Sequence, residues 1–267
     1  MQGEIVMRKK SGNRIVAMIP VRNEACRYLF QVLEHLSLWV DKIVVLDDAS
    51  EDDTYEVAKS FNKVIAYKNE KTLFVENEVA LRAKLWDLTI RQEPDWIVAI
   101  DADEIFEDRI VDEVEFLINQ DYYDAVYFRI FDFWASQTHY RVDGGWNPWV
   151  KFQLFLVRYD PHLNYTWPQR EIHCGRFPMP CQDFIPYYSD IRIKHFGWAE
   201  EREHYKKYLF YRDKDLKIHG QILPHTQSIL VSPKSNDLEK WCNSKRLYFL
   251  RDGNNEGKGA DFKNAAS

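Results

Sequence analysis

Short apolar runs alternate with amphipathic segments along the first half of the chain. The runs predict buried β-strands at residues 14–20, 42–46, 64–67 and 96–100. Between them, apolar side chains recur at helical spacing and predict helices at about 24–39, 50–61 and 76–91, with Ser50 as the cap of the second. This regular alternation predicts right-handed crossovers and a mainly parallel sheet with helices on its faces.

The pattern becomes less regular after residue 108. It predicts a helix at about 110–119, strands at 125–131 and 151–157, and a charged helix at 200–219. Prolines and glycines interrupt residues 159–190 too often for regular structure there, and residues 253–267 have the composition of a frayed tail. No flexible linker divides the sequence, so we expect a single α/β domain over residues 1–267.

Composition narrows the choice of partners. The 267 residues include 36 basic and 42 acidic side chains, for a net charge of −6, and the absence of a long basic run argues against nucleic acid as a partner. Because the sequence lacks an apolar stretch of about 18 residues, no integral membrane segment is expected. The sparse cysteines and the polar N-terminus favour a cytoplasmic protein with reduced thiols.

The predicted strand at 96–100 ends in a cluster of carboxylates. Asp101, Asp103 and Glu104 follow it directly, at the end of a strand where α/β proteins bind ligands. Asp101 and Asp103 are two residues apart, so in an extended segment both side chains leave on one side and can share a divalent cation. A solvated acidic turn before the next helix explains this segment equally well when it is taken alone.

Two earlier strand ends favour the cation site. The first strand ends at Pro20, and Arg22 and Glu24 follow it where a helix begins, a position that favours an anion. The second strand ends in Asp47 and Asp48, whose carboxylates can accept hydrogen bonds from a base or a ribose hydroxyl. Because parallel strands end at one edge of a sheet, the three strand ends together predict a nucleotide site with base, ribose and pyrophosphate subsites.

Three segments follow one another in this order: IPVRNE at 19–24, VVLDDASEDDT at 44–54 and WIVAIDADE at 96–104. Together they resemble the family 2 glycosyltransferases over about residues 13–135. The resemblance implies a GT-A fold, which is a Rossmann-like α/β fold with a mixed, mainly parallel central sheet flanked by helices and an irregular acceptor-side second half. In that fold, residues 13–135 would bind a nucleotide sugar, 136–220 would form the acceptor and catalytic half, and 221–267 would be a C-terminal extension.

The resemblance also implies roles for the residues at the strand ends. The donor would be a UDP- or GDP-sugar, and Asp103 would hold Mn²⁺ or Mg²⁺ against its diphosphate, with Asp101 near the ribose and the metal. Where the family has an Arg-Asn pair, this chain has Arg82-Ala83-Lys84, so Arg82 or Lys84 would lie near the base. The residues implied in donor binding are Pro20, Arg22, Glu24, Asp47 or Asp48, Arg82 or Lys84, Asp101 and Ala102.

The acceptor chemistry would come from the second half. The resemblance implies an inverting transfer to a hydroxyl of a saccharide or lipid-linked acceptor, in the synthesis of a glycan or a cell-envelope polysaccharide, and such a transfer needs a carboxylate base. Glu171 is the candidate base, because it lies in a broken loop among aromatic and basic residues. A surface glutamate paired with Arg170 is an equally consistent interpretation. Asp143 and Asp183 are further candidates.

Several other side chains of the second half are candidates for ligand contacts. His195, in the sequence KHFGW, could complete the metal site or touch the diphosphate, although a lone histidine is more often structural. One cation of the following helix could clamp the diphosphate, although these usually form a solvated face: Arg202, Lys206, Lys207 and Arg212. Four tryptophans could form a saccharide platform, although core packing is the commoner role: Trp146, Trp149, Trp167 and Trp198.

Two other functional classes fit part of the pattern. A sugar nucleotidyltransferase has a related α/β domain, but it usually has a glycine-rich basic loop after the first strand, and residues 21–24 contain no glycine. A noncatalytic protein that binds a nucleotide sugar or a saccharide would keep the same motifs. Intact Asp101 and Asp103 argue against it, and donor hydrolysis would separate the two classes. The sequence does not indicate the oligomeric state.

Overall fold

The structure is a computed structural model that describes residues 9–74, 77–168 and 175–243. The strands are β1 (Ile15–Val21), β2 (Lys42–Asp47), β3 (Val64–Lys68), β4 (Trp96–Ala99), β5 (Glu104–Phe106), β6 (Ala125–Asp132), β7 (His139–Arg141), β8 (Phe152–Arg158), β9 (Pro186–His195) and β10 (Leu238–Lys240). The α-helices are α1 (Leu29–Leu36), α2 (Thr54–Lys59), α3 (Glu78–Ile90), α4 (Ile110–Ile118), α5 (Glu201–His219) and α6 (Pro224–Gln227).

Eight strands form one mixed sheet in the order β3-β2-β1-β4-β8-β6-β9-β5. The half that contains β3, β2, β1 and β4 is parallel. In the other half, β8 is antiparallel to β4 and β6, β9 is parallel to β6, and β5 is antiparallel to β9. Strands β10 and β7 pair separately. The mixed central sheet with flanking helices confirms the predicted fold class.

The core lies on both faces of the parallel half, which is why its strands are apolar throughout. Helix α1 buries Leu29, Val32, Leu33 and Leu36 on one face, with Ile15, Ala17 and Ile19 of β1. Helix α3 buries Leu81, Leu85, Trp86 and Leu88 on the other face, with Val16 and Met18 of β1. Full burial of one such side chain contributes about 1.5–3 kcal/mol to folding.

Three boundaries differ from the sequence-based prediction. Helix α1 begins at Leu29 rather than at residue 24, because the backbone amide of Glu24 donates to Thr54 Oγ1 (2.7 Å) and residues 25–28 form turns. Ser50 does not cap α2, since its hydroxyl oxygen accepts from the amide of Asn23 (2.9 Å) and the helix begins at Thr54. Strand β9 begins within the segment expected to be irregular, because β6 supplies its hydrogen-bond partners.

The second half of the chain is held to the sheet by an aromatic cluster. Trp134 and Trp198 stack with ring centroids 5.6 Å apart, and Trp146 packs edge-on against Trp198 at 5.0 Å. The buried Arg141 guanidinium lies 4.4 Å from the Trp134 ring centroid. Trp146 and Trp198 are therefore core residues, whereas Trp149 exposes 47% of its surface. In the described residues, we find no helix with both the length and the apolar character to span a bilayer.

Candidate functional site

Parallel strands β1, β2 and β4 end at the same edge of the sheet, and the predicted donor residues follow their last residues. Pro20 lies next to Leu46 in the β1–β2 register, and Arg22 and Glu24 come just beyond β1. Asp47 closes β2, and Asp101 and Asp103 follow β4. The fold thus brings together the strand ends that the sequence singled out. The Ala102 side chain, between the two aspartates, is buried in the core.

Asp48 organises the loop that precedes α3. Its Oδ1 accepts from Asn69 Nδ2 and the amide of Leu73 (both 2.8 Å), and its Oδ2 accepts from Thr72 Oγ1 (2.7 Å) and the amide of Phe74 (3.0 Å). Burial alone raises the pKa of Asp48, but these hydrogen bonds outweigh it and hold the pKa below its ordinary value. A base or ribose would have to displace one of these donors to reach Asp48.

Asp47 and Lys84 lie on the same side of the site. Asp47 is fully buried, and its Oδ1 accepts from the amide of Ser50 (2.7 Å). Its Oδ2 accepts no hydrogen bond from the described residues and lies 3.9 Å from Lys68 Nζ. Lys84 Nζ donates to Asn69 Oδ1 (2.6 Å), and Asn69 in turn donates to Asp48. Asp47 Oδ2 can therefore still accept a hydrogen bond, whereas both oxygens of Asp48 already have donors.

Arg82 is directed toward Asp101. Both of its terminal nitrogens lie 3.3 Å from Asp101 Oδ1, and its Nε lies 3.7 Å from Glu78 Oε1. Lys84 lies two residues further along α3, which is about 200° of helical rotation, so its side chain points in another direction, to Asn69. The expectation that Arg82 or Lys84 lies near the base stays a prediction.

A second arginine, Arg176, completes the surroundings of Asp101. Its Nη1 lies 3.0 Å from Asp101 Oδ2 and 2.8 Å from Glu104 Oε2, while its Nη2 lies 2.6 Å from Glu104 Oε1. Burial raises the pKa of Asp101, but Arg176 and Arg82 outweigh it and hold the pKa at about 2. Asp101 is therefore an anion between two guanidinium groups. The sequence analysis missed Arg176, since its partners are remote in the chain and no motif surrounds it.

Glu104 belongs to this ion-pair network rather than to a cation site. It is 1% exposed, and its Oε2 also accepts from the amide of Asp101 (2.8 Å). The Arg176 guanidinium that binds it lies 4.5 Å from the centroid of the Phe155 ring. The carboxylates that follow β4 therefore have different surroundings: Glu104 is paired with Arg176 in the protein interior, and Asp103 faces His195.

Asp103 meets His195 across the sheet. The amide of Phe196 donates to the Asp103 carbonyl (2.8 Å), which places His195 Nε2 3.7 Å from Asp103 Oδ1. On the other side of the ring, His195 Nδ1 lies 2.6 Å from Asp132 Oδ1. Burial lowers the pKa of His195, but Asp103 and Asp132 outweigh it and raise the pKa to about 9. The structure therefore places His195, a predicted metal ligand on β9, next to Asp103 of the predicted metal motif.

Gly197 packs closely against these two groups. A Cβ atom at this position would lie 2.4 Å from His195 Nε2 and 3.0 Å from Asp103 Oδ2. Two ligands that each lie about 2.1 Å from one ion are about 3 Å apart at right angles and about 4 Å apart when opposite. The 3.7 Å separation lies between these values, so a small shift of either side chain would bring both ligands to one cation. The carboxylate ligand suits Mn²⁺ or Mg²⁺.

The rest of a coordination shell would have to come from a donor and from water. In the described residues, no group of three or more His, Cys, Asp or Glu side chains is arranged to hold a metal. Asp101, also predicted as a ligand, has its oxygens in contact with Arg82 and Arg176. Asp103 and His195 are therefore the pair that fits the ion. Such a site resembles magnesium sites in which one or two carboxylates act together with substrate phosphates.

Lys207 and Glu24 close the site from the other side. Lys207 Nζ donates to the Gly197 carbonyl, and burial lowers the pKa of this lysine although Asp103 opposes the shift. The Glu24 carboxyl is buried, which raises its pKa to about 7, with Arg27 opposing the shift and Asp103 adding to it. Of the cations on α5, Lys207 faces the site, whereas Lys206 exposes 84% of its side chain.

The candidates for the acceptor base have different outcomes. Glu171 lies outside the described residues. Asp143 is ion-paired with Arg141, which occupies both of its carboxylate oxygens. Asp183 is exposed, at the end of a 3₁₀ turn.

Comparisons with known proteins identify the family and the fold. A sequence model described as "Glycosyl transferase family 2" matches residues 16–174. An "Uncharacterized glycosyltransferase" of Rickettsia felis is 32% identical over 126 residues, which are 44% of this chain and 39% of the relative. The match thus spans well under half of the relative's length.

Solved structures share the architecture. The crystal structure of S. aureus TarS 1-349 in complex with UDP-GlcNAc has a TM-score of 0.50 at 14% identity, and the match covers 81% of this chain and 70% of that one. For the glucosyl-3-phosphoglycerate synthase of Mycobacterium tuberculosis with Mn²⁺, UDP and glucosyl-3-phosphoglycerate, the TM-score is 0.35 at 24% identity, with 46% and 45% covered. At such identity, the likeness to TarS shows the fold alone.

Proposed function

Because the chain belongs to glycosyl transferase family 2 and is a glycosyltransferase, we propose that it transfers a sugar from a UDP- or GDP-sugar to an acceptor hydroxyl with the aid of a divalent cation. The observation that carries the proposal is the pair of Asp103 and His195, which face each other beside Gly197 at the carboxyl edge of the sheet. The UDP-GlcNAc in the TarS structure supports the donor class.

The donor would lie along the edge from β2 to β4. Asp47 and Lys84 lie at its nucleoside end, together with Pro20 and Arg22. Asp101 is held as an anion, which suits it to accept a hydrogen bond from a ribose hydroxyl. We therefore assign donor binding to residues 13–135, the acceptor side to 136–220, and a C-terminal extension to 221–267.

The chemical step places negative charge on the diphosphate. The bond from the anomeric carbon to the diphosphate oxygen breaks as the acceptor hydroxyl forms its new bond, and the sugar inverts its configuration. A Mn²⁺ or Mg²⁺ ion bound by Asp103 and His195 would supply a Lewis acid for that charge. The Lys207 ammonium group lies where it can donate to the same oxygens, a charge-assisted bond that strengthens as the charge grows.

The acceptor hydroxyl must lose its proton to a carboxylate, and Glu171 remains our proposal for that base. Asp143 is a weaker choice because Arg141 neutralises it. The acceptor class we propose is a saccharide or a lipid-linked saccharide of a cell-envelope glycan. If Glu171→Gln leaves turnover intact at unchanged donor affinity, the base lies elsewhere.

A thermal-shift panel tests the proposed donor and metal. It compares UDP, GDP and their sugars, each with and without Mn²⁺, because a ligand that binds only the native state raises the unfolding temperature. We expect one nucleotide series to raise the Tm, and Mn²⁺ to enlarge the shift. A panel in which neither series shifts the Tm would contradict the proposal.

A further inference from the structure

Asp132 contacts the proposed metal ligand His195 at Nδ1, on the side of the ring away from Asp103. The two residues are the last of β6 and β9, and they lie side by side in the parallel register of these strands. Asp132 Oδ1 lies 2.6 Å from His195 Nδ1. Among the described residues, the Asp132 side chain has no other hydrogen bond or ion pair, so the contact with His195 is its role in this part of the fold.

A register shift creates this contact. Early in the strands, Tyr127 is opposite Tyr188, but after an irregularity Arg129 is opposite Arg192. Without that shift, the carboxylate would be opposite Ile193, which is a buried core residue. The irregularity therefore advances β9 so that an imidazole rather than an aliphatic side chain meets Asp132. Such irregularities commonly redirect a side chain beside an active site.

The contact determines which ring nitrogen is free. An ionised carboxylate only accepts hydrogen bonds, so the proton in this contact belongs to Nδ1 of His195. A cation can be bound only by the ring that has lost its Nε2 proton, and that neutral ring has its lone pair on Nε2, the atom that faces Asp103. Carboxylate–histidine–metal arrangements fix the tautomer and the ring orientation in this way.

We propose that Asp132 is a positioning residue that holds His195 with Nε2 directed at the cation shared with Asp103. The inference rests on the proposed metal-dependent function and adds a residue that the sequence motifs do not contain. Asp132 does not itself bind the ion. Its removal should leave the metal site with a mobile imidazole that can adopt the other tautomer.

The test measures Mn²⁺ binding by electron paramagnetic resonance, in the presence of UDP, for the wild type, Asp132→Ala, Asp132→Asn, His195→Ala and the double variant Asp132→Ala/His195→Ala. Pulsed spectra report nitrogen coupling from a bound imidazole. We expect coupling in the wild type, a 10–100-fold loss of affinity with weakened coupling in Asp132→Ala, and a smaller loss in Asp132→Asn, whose amide oxygen can still accept from Nδ1. Circular dichroism checks that each variant is folded.

The double variant isolates the positioning role. Once His195 is absent, Asp132→Ala should cause no further loss of Mn²⁺ affinity, since the two residues act as one unit. Wild-type affinity and coupling in Asp132→Ala would overturn the inference while leaving the metal site intact, and so would an equal loss in the His195→Ala background. Absence of Mn²⁺ binding or of nitrogen coupling in the wild type would instead overturn the proposed metal site, and the inference with it.

Discussion

His195 Nε2 lies 3.7 Å from Asp103 Oδ1, although the two residues are 92 positions apart in the sequence. The antiparallel pairing of β5 with β9 creates this proximity, because Glu104 and His195 are partners in that register. The site therefore depends on the second half of the sheet as much as on the nucleotide-binding half. Changes on either side should affect the same proposed cation site.

Replacement of Gly197 by alanine tests the close approach of this residue to the Asp103–His195 pair. The new Cβ would lie 2.4 Å from His195 Nε2, and the bond to Asp132 hinders the ring from moving away. We expect Gly197→Ala to reduce Mn²⁺-dependent UDP binding at least tenfold in calorimetric titrations. Gly145→Ala is the control, because its Cβ would meet only the His225 side chain. Unchanged binding in Gly197→Ala would place the cation elsewhere.

Lys207 and Lys206 form a matched pair on α5. A charge-assisted hydrogen bond contributes about 1.5–3 kcal/mol, so Lys207→Met should weaken UDP binding by roughly 10–100-fold. Lys206→Met should have no effect, because that side chain is 84% exposed and, among the described residues, forms a surface ion pair with Glu203 at 3.9 Å. Titration of UDP into each variant measures the difference. Equal affinities of the two variants would refute the assignment of Lys207 to the diphosphate.

Glu24 should make the stability depend on pH. Burial raises its pKa from 4.5 to about 7 in the folded protein, so its contribution to stability is complete below pH 4.5 and is lost as the pH rises through about 7. Glutamine does not ionise, and Glu24→Gln should therefore be the more stable protein at pH 8.5, by up to about 3 kcal/mol, with the difference vanishing near pH 4. Urea unfolding at both pH values measures it, with the exposed Glu56→Gln as control. A pH-independent difference would contradict this assignment.

Glu104 should be important for stability. Removing one partner of a buried ion pair costs about 3–5 kcal/mol, and Glu104→Gln leaves the buried Arg176 guanidinium with less compensation. Asp213→Asn breaks an exposed pair with Arg212 and should cost less than about 1 kcal/mol. Chemical denaturation of both variants provides the comparison. Similar losses for the two would mean that the network around Asp101 is not a structural anchor.

Local patterns were sufficient to predict the donor half. Strands β1, β2 and β4 are apolar on both faces, so their positions and the residues at their ends could be read from the sequence. The grouping of Arg22, Asp47 and Asp101 at one edge followed from parallel strand order, whereas the GT-A fold followed from the family resemblance of the three segments at the strand ends.

The remaining contacts depend on pairings between distant segments. Arg176 reaches Asp101 and Glu104 from beyond β8, and nothing in its neighbourhood marks it as an ion-pair partner. Asp132 meets His195 only because of the register shift between β6 and β9, and such a shift has no sequence signature. The directions of the Arg82 and Lys84 side chains on α3 also could not be predicted without the fold.

The most direct test of the account measures release of UDP from a UDP-sugar by the wild type and by Asp103→Asn, in Mn²⁺ and in EDTA. If GDP-sugars are the donors that stabilise the protein, release of GDP is measured instead. Asparagine has nearly the size of aspartate but lacks the charge that holds the cation. The account predicts release by the wild type in Mn²⁺, little release in EDTA, and a loss of at least a hundredfold in Asp103→Asn. Equal release in Mn²⁺ and EDTA, or full activity of Asp103→Asn, would contradict it.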